Sequence, residues 1–264
     1  MQKPFIRWVG GKRQLLPELR ARVPQSFGHY FEPFIGGGAL FFNLSPLCAT
    51  LADVNERLVR AYKGVRNDVE HVIELLHEYP HDSAFYYSLR TVDIDARTDA
   101  EVAAWLIYLG KVGFNGLYRV NKSGGHNVPF GRHKNPTICD VETLRACSAA
   151  LKPVELLVAD FAASVAEAQA GDLVYFDPPY APLSATSSFT AYTASGFGPD
   201  EQRRLRNVAL ELKQRGAHVL LSNSSAPLIR DLYANGFHVE EVGARRSVNS
   251  KASGRGQVKE LLIR

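Results

Sequence analysis

The sequence predicts an α/β fold, and three observations carry that prediction. Short apolar runs bounded by turn residues recur along the chain, an amphipathic helical stretch lies among them, and a middle region breaks the alternation. His29 to Phe34 and Ala49 to Ala52 are the first runs of strand length. Val154 to Ala159 and Leu173 to Phe176 follow after a long gap, and Val219 to Ser222, His238 to Val242 and Val258 to Ile263 complete the set. Before Val219, the stretch Glu201 to Arg215 sets Leu205, Val208, Ala209 and Leu212 on one helical face, and Gly216 stops it. Such alternation builds a sheet with helices on both sides.

The middle departs from this pattern. Arg57 to Leu109 reads as successive helices, with Val69, Val72, Ile73 and Leu76 as core positions, and Lys111 to Pro136 as a loop or hairpin rich in Gly and Asn. The reading is therefore of a sheet domain formed by residues 1–56 and 145–264, interrupted by a helical insertion over 57–144 whose hairpin spans about 111–136.

Composition narrows the class. The 264 residues are 45% hydrophobic and 22% charged, the balance of a water-soluble folded chain with a substantial core. No run reaches the roughly 18 apolar residues of a membrane span, and Lys3, Arg7 and Lys12 occupy the place of a signal-peptide centre, so a cytoplasmic protein is expected. Cys48, Cys139 and Cys147 have no zinc-site spacing and read as buried small hydrophobes in a reducing compartment. The net charge of +4 says less than its distribution. Met1 to Pro17, Val102 to Cys139 and Val242 to Lys259 hold stretches of Lys and Arg without interleaved acids, which fits a polyanionic partner; three solvated loops are the plainer alternative.

Two segments carry chemistry. Phe34-Ile35-Gly36-Gly37-Gly38 follows a predicted strand and precedes the helix-like run Ala39 to Leu44, the arrangement of nucleotide pockets, in which glycine permits close backbone approach. Phe41 stands where a dinucleotide fingerprint wants its third glycine, and no Lys-Ser/Thr pair follows, so pyrophosphate ligands are disfavoured. Asp53 ends the next strand, where an acid can accept hydrogen bonds from ribose hydroxyls; a glycine turn beside a surface aspartate is the alternative. The second segment, Asp177-Pro178-Pro179-Tyr180, lies at the carboxyl end of Leu173 to Phe176, where open α/β sheets bind ligands. Two prolines there can simply end a strand. Yet the Asp177 carboxylate and Pro178 carbonyl can aim two acceptors at one amino group, with Tyr180 as a stacking face. Acceptors on both hydrogens of an aromatic amine favour a pyramidal nitrogen, whose lone pair can attack an electrophilic methyl carbon without a metal.

With these residues in view, the chain resembles the Dam-type (alpha-class) DNA adenine N6-methyltransferases, from Ile6 to Leu262, in the permuted order that places cofactor motifs first. The resemblance rests on Arg7-Trp8-Val9-Gly10-Gly11-Lys12, Glu32-Pro33 with the glycine turn, Ala52-Asp53-Val54-Asn55, Asp160-Phe161 and Asp177-Pro178-Pro179-Tyr180. The extension Ala181 to Thr186, with Phe189-Thr190-Ala191-Tyr192, adds to it. It implies a Rossmann-like S-adenosylmethionine-dependent methyltransferase sheet with an inserted helical target-recognition domain. It also implies that Trp8, Lys12, Phe34, Gly36, Gly38, Asp53, Asp160, Phe161 and Asp177 line the S-adenosylmethionine site, and that Asp177, Pro178 and Tyr180 hold the target base.

The same resemblance makes Phe114 to Arg119 and Asn127 to Arg132 a DNA-reading hairpin. Arg119 would read guanine through O6 and N7, Leu117 and Pro129 would touch thymine methyls, and Phe114 would wedge into the base stack. Asn115, Asn127 and Arg132 belong to the same surface, and Arg7 and Arg245 would add DNA contacts. The usual family target is GATC; here Arg7 and Phe114 stand where Lys and Tyr are common, and Gly110-Lys111-Val112 where Asn-Arg is usual. The expected partners are double-stranded DNA and S-adenosylmethionine, with no metal or membrane, acting as a monomer in a bacterial or phage setting. Ala181 to Phe197 is a candidate loop ordering over the flipped base. An adenine methyltransferase of a restriction-modification pair with another site, and a DNA-binding protein with an idle pocket, are the alternatives.

Overall fold

Glu32 is followed by Pro33, which has no N–H to extend a strand ladder, and so the first strand, β1 (Tyr30–Glu32), stops short of the predicted Phe34. The computed structural model describes residues 2–183, 196–245 and 257–264. Six further strands follow in it: β2 (Ala49–Asp53), β3 (Val154–Val158), β4 (Leu173–Phe176), β5 (His218–Ser224), β6 (Val239–Arg245) and β7 (Gln257–Ile263). All seven predicted strands are present, in one sheet of order β3-β2-β1-β4-β5-β7-β6. β1 runs parallel to β2 and β4, and β4 to β5, while β7 is antiparallel to both β5 and β6. Every residue of β1 and β4 is buried, as in parallel strands covered on both faces.

The described residues also form ten helices. In the first part of the chain they are α1 (Leu16–Arg20), α2 (Ala39–Leu44), α3 (Glu56–Asn67), α4 (Val69–Glu78), α5 (Ser83–Arg90) and α6 (Asp99–Val112). Beyond these come α7 (Val141–Leu151), α8 (Phe161–Ser164), α9 (Pro199–Gln214) and α10 (Pro227–Tyr233). None is long and apolar enough to cross a membrane.

Two compact units emerge. One comprises Met1–Lys12, Gly36–Ser45 and Asp53–Val158. Its centre is α6, buried almost all round from Ala100 to Val112 and packed by α3, α4 and α5, as a helix apolar on every side must be. Thr98 and Glu101 start α6 with a reciprocal capping box. Val72, Ile73 and Leu76 of α4 are buried as predicted, whereas Val69, at the start of the helix, is only half-buried. After α6 the chain makes a 3-10 turn at Phe114–Gly116 and returns as an irregular hairpin, with antiparallel bridges Gly113↔Phe130 and Val120↔His126. The Val128 carbonyl anchors it, accepting from Tyr86 OH and Arg90 Nη1, each at 3.0 Å.

The other unit comprises Arg13–Ile35, Pro46–Ala52 and Ala159–Arg264. Leu205, Ala209 and Leu212 of α9 pack there with Val174, Phe176, Leu221, Ile229 and Leu261, and Val208 flanks them. α9 begins two residues earlier than predicted because Pro199 suits the first helical turn. The cysteine expectation holds only for Cys147: Cys48, in the turn before β2, is exposed, and Cys139 is half-buried.

Candidate active site

In the first unit the glycine turn and the end of β2 build one cluster. Gly36 and Gly38 have φ of +44° and +63°, left-handed backbone that suits glycine, and a Cβ would lie 2.9 Å from Trp8 Cδ1 or 2.8 Å from the Tyr62 hydroxyl. Tyr62 donates to the Gly36 carbonyl at 3.1 Å and so ties α3 to the turn. The cap of α3 does similar work at Asp53. Asn55 caps the helix through its side chain, while its backbone N–H donates to Asp53 Oδ1 at 2.9 Å. The Gly36 N–H reaches Asp53 Oδ2 at 3.5 Å. Burial outweighs these donors and pushes the Asp53 carboxyl up to about 6. Lys12 is buried and donates from Nζ to the Gly10 carbonyl at 2.7 Å, and the Trp8 indole stacks on Tyr118 with centroids 5.0 Å apart.

The second unit positions the tetrapeptide. Asp177 follows β4, and Ser222 of β5 donates to its Oδ1 at 2.9 Å; the Tyr175 hydroxyl lies 3.1 Å from the same Ser222 oxygen. Pro178 is buried. The Pro179 carbonyl is bound by Gln202 Nε2 at 2.9 Å. Tyr180 donates its hydroxyl to Glu260 Oε2 of β7 at 2.7 Å, which fixes the ring. Burial first, then Asp177 and Glu260, hold the Tyr180 phenol well above its ordinary value, so it stays a donor.

Phe34 and Phe161 stack in the same unit at 5.5 Å, with Phe197 edge-on to Phe34. Asp160 caps α8 and is ion-paired by Arg204, whose guanidinium also lies 4.4 Å over the Phe161 ring. Arg204 therefore holds the Asp160 carboxyl below its usual range.

The hairpin exposes Phe114, Asn115, Arg119, Pro129 and Arg132, while Leu117 and Asn127 are half-buried. Phe114 N–H donates to the Pro129 carbonyl at 2.9 Å, bringing those two residues together. Arg119 donates from Nε to Asn127 Oδ1 at 2.6 Å and from Nη2 to the Asn127 carbonyl at 3.1 Å. Arg7 is exposed and backs against Gly110 and Gly116. The Arg245 backbone ends β6; its side chain, the Arg246 to Lys251 part of the last basic stretch, and Ser184 to Tyr192 lie outside the described residues. Among the described residues no group of three or more His, Cys, Asp or Glu side chains is placed to hold a metal ion.

Sequence reasoning missed Tyr62, Gln202, Arg204, Ser222, Asn223 and Glu260. A usable signal existed for three of them: Ser222 and Asn223 are polar in a strand otherwise apolar to Leu221, and Gln202 occupies the face of α9 that Leu205 and Leu212 bury.

A largely parallel sheet with a glycine turn after β1, and acids at the carboxyl ends of β2 and β4, defines a Rossmann-like group-transfer enzyme of the S-adenosylmethionine-dependent methyltransferase class. Residues 8–248 match the family described as D12 class N6 adenine-specific DNA methyltransferase, and the chain belongs to that family. It is 45% identical to the Type II methyltransferase M1.LlaDCHI of Lactococcus lactis subsp. cremoris, over 99% of this chain and 94% of the relative. It is 40% identical to the Type II methyltransferase M.MjaIII of Methanocaldococcus jannaschii, over 99% and 98%. To the DNA adenine methylase of Escherichia coli K12 it is 34% identical, over 98% and 94%. The protein is thus an adenine-specific DNA methyltransferase, and its family implies S-adenosylmethionine as methyl donor and DNA as partner.

Proposed function

We propose that the enzyme methylates N6 of an adenine turned out of duplex DNA, within GATC, with Asp177, Pro178 and Tyr180 holding the base. The observation that carries this reading is the difference between the two proline carbonyls. Pro179 O is taken by Gln202, whereas Pro178 O accepts no hydrogen bond among the described residues and follows directly on Asp177, which Ser222 holds. Asp177 and Pro178 would accept the two amino hydrogens, localising the nitrogen lone pair. Tyr180, oriented by Glu260, would stack on the base and offset the few kcal/mol spent in flipping it.

The residues fit the methyl donor. The Gly36–Gly38 turn is packed against Trp8 and Tyr62 without side chains of its own, and Asp53 beside it is a carboxylate with backbone donors only and no cation among the described residues, suited to ribose hydroxyls. Trp8, Lys12, Phe34, Gly36, Gly38, Asp53, Asp160, Phe161 and Asp177 would hold S-adenosylmethionine. When bound, it supplies a methyl carbon made electrophilic by the sulfonium.

The hairpin supports sequence reading. Arg119 is tethered at Nε and Nη2 by Asn127, leaving Nη1 and the second Nη2 hydrogen as a fork for guanine, with Leu117 and Pro129 for thymine methyls. Phe114, 44% exposed, is the wedge; Asn115, Arg132, Arg7 and Arg245 add contacts. A second reading, the modification half of a restriction pair with another site, is favoured by the Type II relatives at 45% and 40% identity. Treating unmethylated plasmid with the enzyme and mapping N6-methyladenine by sequencing decides between them. Modification confined to GATC is expected; another motif would overturn the specificity and leave the reaction standing.

A further inference from the structure

Pro178 and Pro179 have no amide hydrogens, so the tetrapeptide cannot be fixed by backbone donors of its own at those positions. What grips it is a buried side-chain network. Gln202 is 1% exposed, Asn223 0% and Ser224 3%. Gln202 Nε2 donates to Pro179 O at 2.9 Å, and Asn223 Nδ2 donates to Gln202 Oε1 at 3.1 Å. Asn223 Oδ1 in turn accepts from Ala181 N–H at 3.2 Å and from Ser224 N–H at 2.8 Å. Ser224 Oγ closes the circuit on the Ala181 carbonyl at 2.6 Å.

Burying two primary amides is costly unless they are bonded, and a core position on α9 would be filled more simply by Leu or Met. Stability alone does not account for the choice. Geometry does: the two amides hold Pro179 O and Ala181 N–H from the helix side and the strand side, while Ser222, their neighbour on β5, holds Asp177. One rigid strand end and one helix thereby set the peptide on each side of the Pro178 carbonyl.

We infer that Gln202 and Asn223 are positioning residues for methyl transfer, fixing the Pro178 carbonyl through Pro179 and Ala181. The inference rests on the reading that Asp177 and Pro178 hold the adenine amino group. A small displacement of such an acceptor slows the chemical step while leaving ligand contacts elsewhere intact.

The test is single-turnover methylation of a duplex substrate by the full chain. Gln202→Met, which keeps the volume and removes both bonds, should lower the rate about 10- to 100-fold, with KM for DNA and affinity for S-adenosylmethionine within about twofold of wild type. Asn223→Asp, which keeps the acceptor for Ala181 and Ser224 but not the donor to Gln202, should lose rate in the same sense and to a smaller degree. Leu205→Ala, a cavity in the same helix, is the stability control and should retain its single-turnover rate below its melting temperature. The inference falls if either amide variant, folded by circular dichroism, turns over within twofold of wild type, or if Leu205→Ala loses as much. Asp177→Ala separates the two levels. Retained methylation there sinks the reading of the tetrapeptide itself, whereas its loss beside active amide variants sinks only the positioning role.

Discussion

Replacing Asp53 by Asn should make the free enzyme more stable at pH 8 while weakening its hold on the methyl donor. Burial raises the folded-state pKa of Asp53 to about 6 against an ordinary 3.8. The folded protein therefore takes up this proton at higher pH than the unfolded chain does. The cost of keeping Asp53 charged is fully present above about pH 6, shrinks as pH falls, and is gone below the unfolded value. Its size is about 3 kcal/mol, from roughly 1.4 kcal/mol for each factor of ten in proton affinity. Asn would keep the acceptor for Asn55 N–H but turn a donor toward Gly36 N–H, returning about 1 kcal/mol. The net gain is about 2 kcal/mol at pH 8, vanishes near about pH 4.5 and becomes a small loss below it. Urea denaturation of wild type and Asp53→Asn at pH 8, 6 and 4 measures it, and calorimetric titration with S-adenosylmethionine should give about tenfold or more weaker binding for the variant. A variant no more stable than wild type at pH 8, or more stable by an amount that ignores pH, would refute the electrostatic argument.

Other expectations concern the base, the hairpin and its buried histidine. Tyr180→Phe, which keeps the ring and loses the bond to Glu260, should reduce methylation a fewfold, and Tyr180→Ala should cost a further factor set by about 1–3 kcal/mol of stacking; steady-state kinetics that do not distinguish the two would remove the ring from the mechanism. Arg119→Ala should reduce kcat/KM by about 1–3 kcal/mol on the preferred site and spare sequences altered at the guanine it reads, so an unchanged preference would exclude Arg119 from readout. His126 is 5% exposed between Trp105 and Tyr118, and neither ring nitrogen has a hydrogen-bond partner in good geometry among the described residues. Burial first, then the cations Arg90, Arg119 and Arg57, lower its pKa to about 4. The unfolded chain then binds this proton first as pH falls, so stability should decline from about pH 6.5 toward pH 4. His126→Phe should flatten that acid limb of a thermal-melt profile, and an unaltered limb would assign it to other groups.

How much of this was legible in the sequence depends on how local the determining physics is. The strands could be read because Leu173 to Phe176 and Val219 to Leu221 are apolar runs of strand length, and α9 because its apolar residues repeat at helical spacing. The glycine turn was legible because Gly36 and Gly38 adopt backbone angles that other residues resist. Asp53 and Asp177 were flagged by their places at strand ends, but their partners were not. Ser222 meets Asp177 across 45 residues, and Glu260 meets Tyr180 across 80, so only the register of β4, β5 and β7 creates those contacts. Arg204, on the outer part of α9, is an ordinary surface cation until folding lays it over Phe161. Cys48 is exposed, against expectation, for a related reason: a small apolar residue is inside only where an element covers it, and the turn before β2 is not covered.

The position of β7 also bears on when the protein becomes an enzyme during its own synthesis. Among the described residues β6 has no strand neighbour other than β7, which slots between it and β5 although it follows both in the chain. Synthesis proceeds from the amino end, so for the time needed to add β7 the nascent sheet carries an open edge at β5 and an unpaired β6. Glu260, the partner of the Tyr180 hydroxyl, travels on that same strand. Pairing of β7 and orientation of the Tyr180 ring are thus one event, and a chain on the ribosome lacking residues 257–264 would hold the tetrapeptide without the group that aims its ring.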